Sequence, residues 1–345
     1  METRIYKSSE LKQAAQDIKD GKLVSFPTET VYGLGADATN VSAVKNVFKA
    51  KGRPADNPLI VHVDSIKMVE KYAEPLSDKA KKLIQTFWPG PLTIIFNLKP
   101  NVLSKVVTGG LTTAAFRNPR NKVTLGLIEE ADTPIVGPSA NTSGKPSPTT
   151  AQHVYHDLKG KIAGILDDGH TDVGVESTVL DMSSKNPAIL RPGAVTAGEI
   201  AKVIGPVEDT AKLHRVKNSK EIPKAPGMKY KHYAPNAQVY VVDHPNMFNE
   251  AVHWAGEQNV KVGVMAIDSI LNQINWPDNV ETYSLGSDVK SASHLLFAGL
   301  RHFDNEPEVK SILAEAFKAN GLGEAYMNRL NKSAGQVHFG QDHNK

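Results

Sequence analysis

Apolar residues recur along the chain in two alternating periods, one helical and one of short strand-like runs, which predicts a mixed α/β protein. Leu11, Ala14, Ala15 and Ile18 fall at helical spacing behind a cap at Ser8 or Ser9, and Gly21 is placed to end that helix. A strand signal at 23–26 follows, then a helix at 42–51 closed by Gly52 and a strand at 59–63. A helix at 78–87 stops against Trp88-Pro89-Gly90-Pro91, and a strand at 92–96 comes next. Shorter strands are expected at 112–116, 135–136, 164–166 and 178–180, with a further one ending at Arg191. The pattern ends near Ile204 and gives an α/β domain with a mixed sheet.

Residues 205–235 are polar, carry Pro206, Pro223, Pro226 and Pro235, and show little periodicity. Strands at 238–242 and 261–267 and a long amphipathic helix at 287–303 then mark a smaller α/β unit, which the segment 323–334 closes. The expected organisation is a catalytic domain at 1–205, a linker and active-site lid at 206–236, and a second domain at 237–345.

Length and composition sharpen this outline. A chain of 345 residues suits about two domains. A net charge of +3 fits a protein that handles anions without pointing to nucleic acid. The lack of cysteine removes disulfides, zinc-thiolate sites and thiol nucleophiles. No apolar run approaches the roughly 18 residues of a membrane span, and Met1 to Lys7 lacks the apolar core of a secretory signal, so the cytoplasm is the default compartment.

Familiar nucleotide motifs do not match. Around Gly144-Lys145, Ser139 stands where a P-loop needs its first glycine, and Pro146 stands where it needs Ser or Thr. Gly33-Leu34-Gly35 and Gly321-Leu322-Gly323 each lack the third glycine of a dinucleotide fingerprint. His153 and His156 have no further ligand at metal spacing, so no metal site is read there.

Polar residues mixed with Gly and Pro gather instead at expected strand ends. Residues 27–35, Pro-Thr-Glu-Thr-Val-Tyr-Gly-Leu-Gly, offer small hydroxyls for a carboxylate or ammonium group, or simply a capped turn. Lys51 and Arg53 place two cations one residue apart, as a polyphosphate requires, or complement a helix end. Arg117 ends a strand, where its planar fork can grip a carboxylate or bridge to a neighbour. Ser139, Asn141 and Ser147 lie in a hydroxyl-rich loop able to cradle phosphates. Glu176 and Ser177 start one strand and Arg191 ends another, while residues 226–235 put two tyrosines, two lysines and His232 in the linker.

In this order, Pro-Thr-Glu-Thr-Val-Tyr-Gly-Leu-Gly (27–35), Lys-Gly-Arg-Pro (51–54), Asn-Pro-Leu-Ile-Val-His (57–62), Pro-Ser-Ala-Asn (138–141), Glu-Ser-Thr-Val (176–179) and Leu-Arg-Pro-Gly (190–193) resemble the Sua5/YrdC/YciO family. Phe-Trp-Pro-Gly-Pro-Leu-Thr (87–93) and Ser-Pro-Thr (147–149) extend the likeness. Pro-Gly-Met-Lys-Tyr-Lys-His-Tyr-Ala-Pro (226–235) and Met-Asn-Arg-Leu (327–330) resemble its longer, two-domain Sua5 type. The resemblance implies a YrdC-like twisted mixed sheet with helices and a smaller Rossmann-like α/β C-terminal domain. It also implies an L-threonylcarbamoyladenylate synthase, a nucleotidyltransferase joining L-threonine, bicarbonate and ATP, with Mg²⁺ on the phosphates, for the t6A modification of tRNA.

By matching position, the resemblance puts Thr28, His62, Arg117 and Ser177 on threonine. It puts Lys51, Arg53, Thr113, Ser139, Asn141, Ser147 and Arg191 around ATP, closed by Tyr230 and His232. No general base is assigned. Expected partners are transferase proteins of the t6A pathway, with direct tRNA binding left open. Asn121 departs from the family's usual histidine. A double-stranded-RNA-binding module is the rival reading, and a carbamoyl-transferring maturation enzyme is another, but the small net charge and the lack of cysteine weigh against them.

Overall fold

Gly21 and Gly52 follow the first two long helices, Leu11–Lys19 and Val41–Lys51. Both sit in the left-handed region (φ 75° and 64°), where a Cβ would be strained. Neither Ser8 nor Ser9 caps the first of these helices. Ser8–Glu10 forms a 3₁₀ turn, and the Glu10 carboxylate accepts the Lys7 N–H at 3.0 Å. The computed structural model describes residues 2–210, 224 and 232–340.

The chain divides into two units. The first comprises Met1–Ser143, Pro148–Asp172 and Glu176–Tyr230; the second comprises Gly144–Ser147, Val173–Val175 and Lys231–Lys345. Two short pieces that interrupt the first unit's run of chain thus belong to the second unit.

The first unit contains β1 (Arg4–Lys7), β2 (Val24–Phe26), β3 (Gly33–Asp37), β4 (Ile60–His62), β5 (Leu92–Asn97), β6 (Thr113–Arg117), β7 (Ile135–Val136), β8 (Gly164–Asp167), β9 (Thr178–Asp181), β10 (Ala188–Arg191) and β11 (Glu208–Asp209). They form an eleven-stranded mixed sheet in the order β1-β8-β2-β3-β7-β4-β6-β5-β9-β10-β11. Residues 27–35, open to reading as a capped turn, instead connect and enter an antiparallel pair, with Phe26 opposite Gly33 and Val24 opposite Gly35.

Register decides what each face of this sheet does. Side chains alternate along a strand, so in-register neighbours share a face. Val61, Ile94, Phe116 and Leu180 enter the main core. Their alternates Ile60, Ile95, Ala115 and Val179 form a separate apolar cluster, with Leu190 packed on it. Ile60 and Ile95 both pair with Ala115, and Thr93 pairs with Val179. The same face therefore also carries His62, Arg117, Thr113 and Thr93, two residues on from the cluster members.

The second unit holds β12 (Gln238–Val242), β13 (Lys261–Ala266), β14 (Val280–Ser284) and β15 (Val309–Glu315), all parallel, in the order β12-β15-β13-β14. The sequence pattern exposes only β12 and β13 of these. β15 keeps a continuous apolar stretch of just Ile312-Leu313-Ala314, and the edge strand β14 is half polar. Helices Phe248–Gly256, Val289–Asp304 and Leu322–Ala334 accompany the sheet.

The piece Gly144–Ser147 is tied in by Lys145 Nζ, which donates to Asp304 at 2.9 Å and to Asn236 Oδ1 at 2.7 Å. Arg301 donates to the Pro146 carbonyl at 2.6 Å. Lys145 is thus an internal clamp of this unit. Among the described residues, no helix is long and apolar enough to cross a membrane.

Candidate active site

Where the chain leaves β2, hydroxyls organise the backbone. Thr28 Oγ1 accepts the N–H groups of Thr30 (3.1 Å) and Val31 (3.2 Å) and donates to the Val31 carbonyl at 2.6 Å. With its one proton so used, Thr28 accepts from the Thr30 hydroxyl at 2.8 Å. Thr30 Oγ1 in turn accepts from Arg117 Nη1 at 2.8 Å. A directional chain thus runs from the guanidinium into the turn.

Glu29 completes this arrangement. Its side chain is 2 % exposed, and Oε1 lies 2.8 Å from Arg117 Nη2. That ion pair lacks the alignment of a hydrogen bond, so both atoms remain without a hydrogen-bond partner within the protein. Glu29 Oε2 accepts the Arg120 N–H at 3.2 Å.

His62 stands beside Arg117 in the parallel β4–β6 register. It is 2 % exposed, and its ring meets Phe26 edge-on at 5.1 Å. Gly137 makes room for both rings, because a Cβ there would fall 2.5 Å from Phe26 Cζ and 2.6 Å from His62 Nδ1. Burial, reinforced by the Arg117 charge, pushes the imidazole from 6.5 down to about 3, so it stays neutral near pH 7. His62 Nδ1, Arg117 Nε and Asn118 Oδ1 are buried without a hydrogen-bond partner within the protein. Each such group costs about 1–3 kcal/mol unless a ligand satisfies it.

Ser177 and Arg191 form a second knot. Arg191 Nε and Nη2 donate to the Ser177 carbonyl at 3.1 and 3.0 Å, and Nη2 reaches Ser177 Oγ at 3.2 Å. Thr93 Oγ1 lies 2.8 Å from the same hydroxyl. Lys224 Nζ pairs with Asp181, at the end of β9, at 3.0 Å.

A third knot joins Lys51, Ser139 and Asn141. Lys51 is 3 % exposed, and its ammonium donates to the carbonyls of Ser139 and Asn141, the latter at 2.7 Å. Ser139 Oγ donates to Asn141 Oδ1 at 2.6 Å, and Ser139 bridges to Gly33 of β3. Lys51 therefore fixes the loop that follows β7. Arg53 places its guanidinium 5.8 Å from the Phe48 ring centre. Thr113 opens β6 four residues before Arg117. At roughly 3.3 Å per residue, one strand face separates the two by about 13 Å.

Ser147 and His232 belong to the second unit, where Ser147 is buried and His232 lies 5.6 Å from the Tyr233 ring. Tyr230 lies outside the described residues. Asn121 caps the helix Lys122–Ala131 by accepting the Thr124 N–H at 2.9 Å, and donates to Asp168 at 2.8 Å.

Glu29 and Thr30, given no role from sequence, also belong to this assembly. Both follow Thr28, the one residue of the 27–35 motif that the resemblance assigns a role. Asn57, 0 % exposed, has no partner within the protein for either Oδ1 or Nδ2. A polar residue locked between an aspartate and Pro58 was the one available signal. Among the described residues there is no group of three His, Cys, Asp or Glu able to hold a metal.

Two family models cover most of the chain. The Sua5/YciO/YrdC model, described as telomere recombination, matches residues 16–193. That of the threonylcarbamoyl-AMP synthase C-terminal domain matches 195–335. A threonylcarbamoyl-AMP synthase of Pyrococcus abyssi is 47% identical over 332 residues, covering 94% of both chains. One of Bacillus subtilis is 45% identical over 327 residues, covering 94% of this chain and 93% of its own. The crystal structure of P. abyssi Sua5 complexed with L-threonine matches with a TM-score of 0.89 at 43% identity, covering 98% of this chain and 99% of its own.

Proposed function

The chain belongs to the Sua5/YciO/YrdC family, and on that premise we propose that it makes threonylcarbamoyl-AMP from L-threonine, bicarbonate and ATP. The observation that carries this reading is the buried pair at the ends of β4 and β6. Arg117 keeps an Nε–H without a partner within the protein, beside a neutral imidazole in the same condition. A cationic fork next to an uncharged hydrogen-bonding ring suits a small amino acid's carboxylate and polar groups.

In this reading Thr28, His62, Arg117 and Ser177 surround threonine. Lys51, Arg53, Thr113, Ser139, Asn141 and Arg191 serve the nucleotide, with Ser147, Tyr230 and His232 assigned to it by family position. Threonine's amine, having lost its ammonium proton, bonds to the bicarbonate carbon with loss of water. A carbamate oxygen then bonds to the α-phosphorus as the bond to the β-bridging oxygen breaks, and pyrophosphate leaves.

Held in its neutral form, with a single ring proton, His62 does not act as an imidazolium acid. Alignment and charge neutralisation supply the catalysis. Mg²⁺ fits this site as a companion of the triphosphate, since the side chains here are cations, hydroxyls and amides rather than clustered carboxylates. When bound it would offset phosphate charge. We place the reaction in the cytoplasm, feeding transferase proteins of the t6A pathway.

Pyrophosphate release from ATP and Mg²⁺ tests the proposal, with threonine and bicarbonate added singly and together. Release that needs both supports the synthase. Release indifferent to threonine would overturn it.

A further inference from the structure

An arginine offers five N–H groups, and its Nε and Nη2 hydrogens form a parallel fork along one edge that matches a carboxylate. In Arg117 the protein spends Nη1 on Thr30 Oγ1 at 2.8 Å. It sets a carboxylate oxygen 2.8 Å from Nη2 yet off the N–H direction, so Nε and Nη2 both lack a hydrogen-bond partner within the protein. Glu29 thereby compensates the buried charge and leaves the fork open. Its other oxygen holds the Arg120 N–H, which fixes the carboxylate relative to the turn that follows β6. The nearest ring in register, His62, brings no competing charge.

We infer that Glu29 is a positioning residue that aims the Nε/Nη2 edge of Arg117 at the carboxylate of the amino-acid substrate. The inference rests on the reading of Arg117 as the amino-acid anchor and adds to it the residue that makes the anchor selective. Thr30 serves as the second stop on the guanidinium. Losing the charge of Glu29 frees Arg117 to rotate toward whatever acceptor remains, so the amino acid suffers and the nucleotide does not.

The test is steady-state pyrophosphate release by the full chain, with threonine and ATP varied in turn. Glu29→Gln is expected to raise the threonine KM about tenfold while the ATP KM stays within twofold and kcat within threefold. Glu29→Asp, which keeps the charge one methylene away, should fall between the wild type and Glu29→Gln. A purely structural role would instead lower the melting temperature and kcat and leave the threonine KM unchanged, and that pattern overturns the inference.

Arg117→Lys separates the two readings. If it leaves the threonine KM unchanged, the anchor assignment itself fails. If it raises the KM while Glu29→Gln does not, the anchor stands and the role of Glu29 is refuted. Should Glu29→Gln not fold, Glu29→Asp carries the same comparison, and an unchanged threonine KM in that variant counts against the inference.

Discussion

His62 and Arg117 face each other in register across two parallel strands, and each buries side-chain nitrogen without a hydrogen-bond partner within the protein. The proximity has a consequence for acid stability. The unfolded chain protonates His62 near 6.5, whereas burial and then the Arg117 charge hold the folded value at about 3. Between those limits the unfolded state binds the extra proton. The contribution is therefore complete above about 6.5 and is lost progressively as pH falls toward 3. Urea midpoints at pH 7 and pH 5 should fall more in the wild type than in His62→Gln. Equal falls would show that some other group carries the acid sensitivity.

Asn57 presents the opposite balance. Its amide already bears the cost of burial without a partner, about 1–3 kcal/mol, so Asn57→Ala removes a liability even as it leaves a small void. Stability should stay within about 1 kcal/mol of wild type, while turnover should drop tenfold or more if a ligand is what satisfies the amide. Loss of stability with full turnover would mark Asn57 as structural.

Lys51 and Arg53, read together in the sequence as a polyphosphate pair, should behave differently. The Lys51 ammonium holds two loop carbonyls from a buried position, and hydrogen bonds to charged groups are worth about 1.5–3 kcal/mol. Lys51→Met is therefore expected to lower stability by that order and to raise the ATP KM through the Ser139–Asn141 loop. Arg53→Ala should raise the ATP KM with a loss of stability below about 1 kcal/mol. Thermal melts and ATP titrations of the two variants check the contrast.

Gly137→Ala offers a steric test. The new Cβ would fall within 2.6 Å of both Phe26 and His62, and overpacking of this kind costs about 1–3 kcal/mol. The His62 ring must shift, so the threonine KM should rise more than the ATP KM. An unchanged threonine KM would show that His62 has no bearing on that substrate.

Much of the fold was legible because the helices are amphipathic and well punctuated: 78–87 and the close of 41–51 at Gly52 match the pattern read from the chain. β14 and β15 were not, since an edge strand needs few apolar residues and a continuous apolar stretch of only three residues, as in β15, resembles any apolar run. In the site, the family motifs pointed to Arg117 and His62. They could not show that Lys51 turns inward onto carbonyls, nor that Glu29 pairs with Arg117 and holds the Arg120 N–H. Both facts depend on pairings 88 to 91 residues apart in the chain, which no local pattern encodes.

Ile60, Ile95, Ala115 and Val179 lie on the same sheet face as the reactive groups. An acyl phosphate such as threonylcarbamoyl-AMP is a mixed anhydride that water can cleave. Four aliphatic side chains give water no donor and no acceptor to settle on, so this part of the face is a dry one. A product held over that patch would meet little water, and the residues that close a small satellite core would then also lengthen the life of a perishable intermediate.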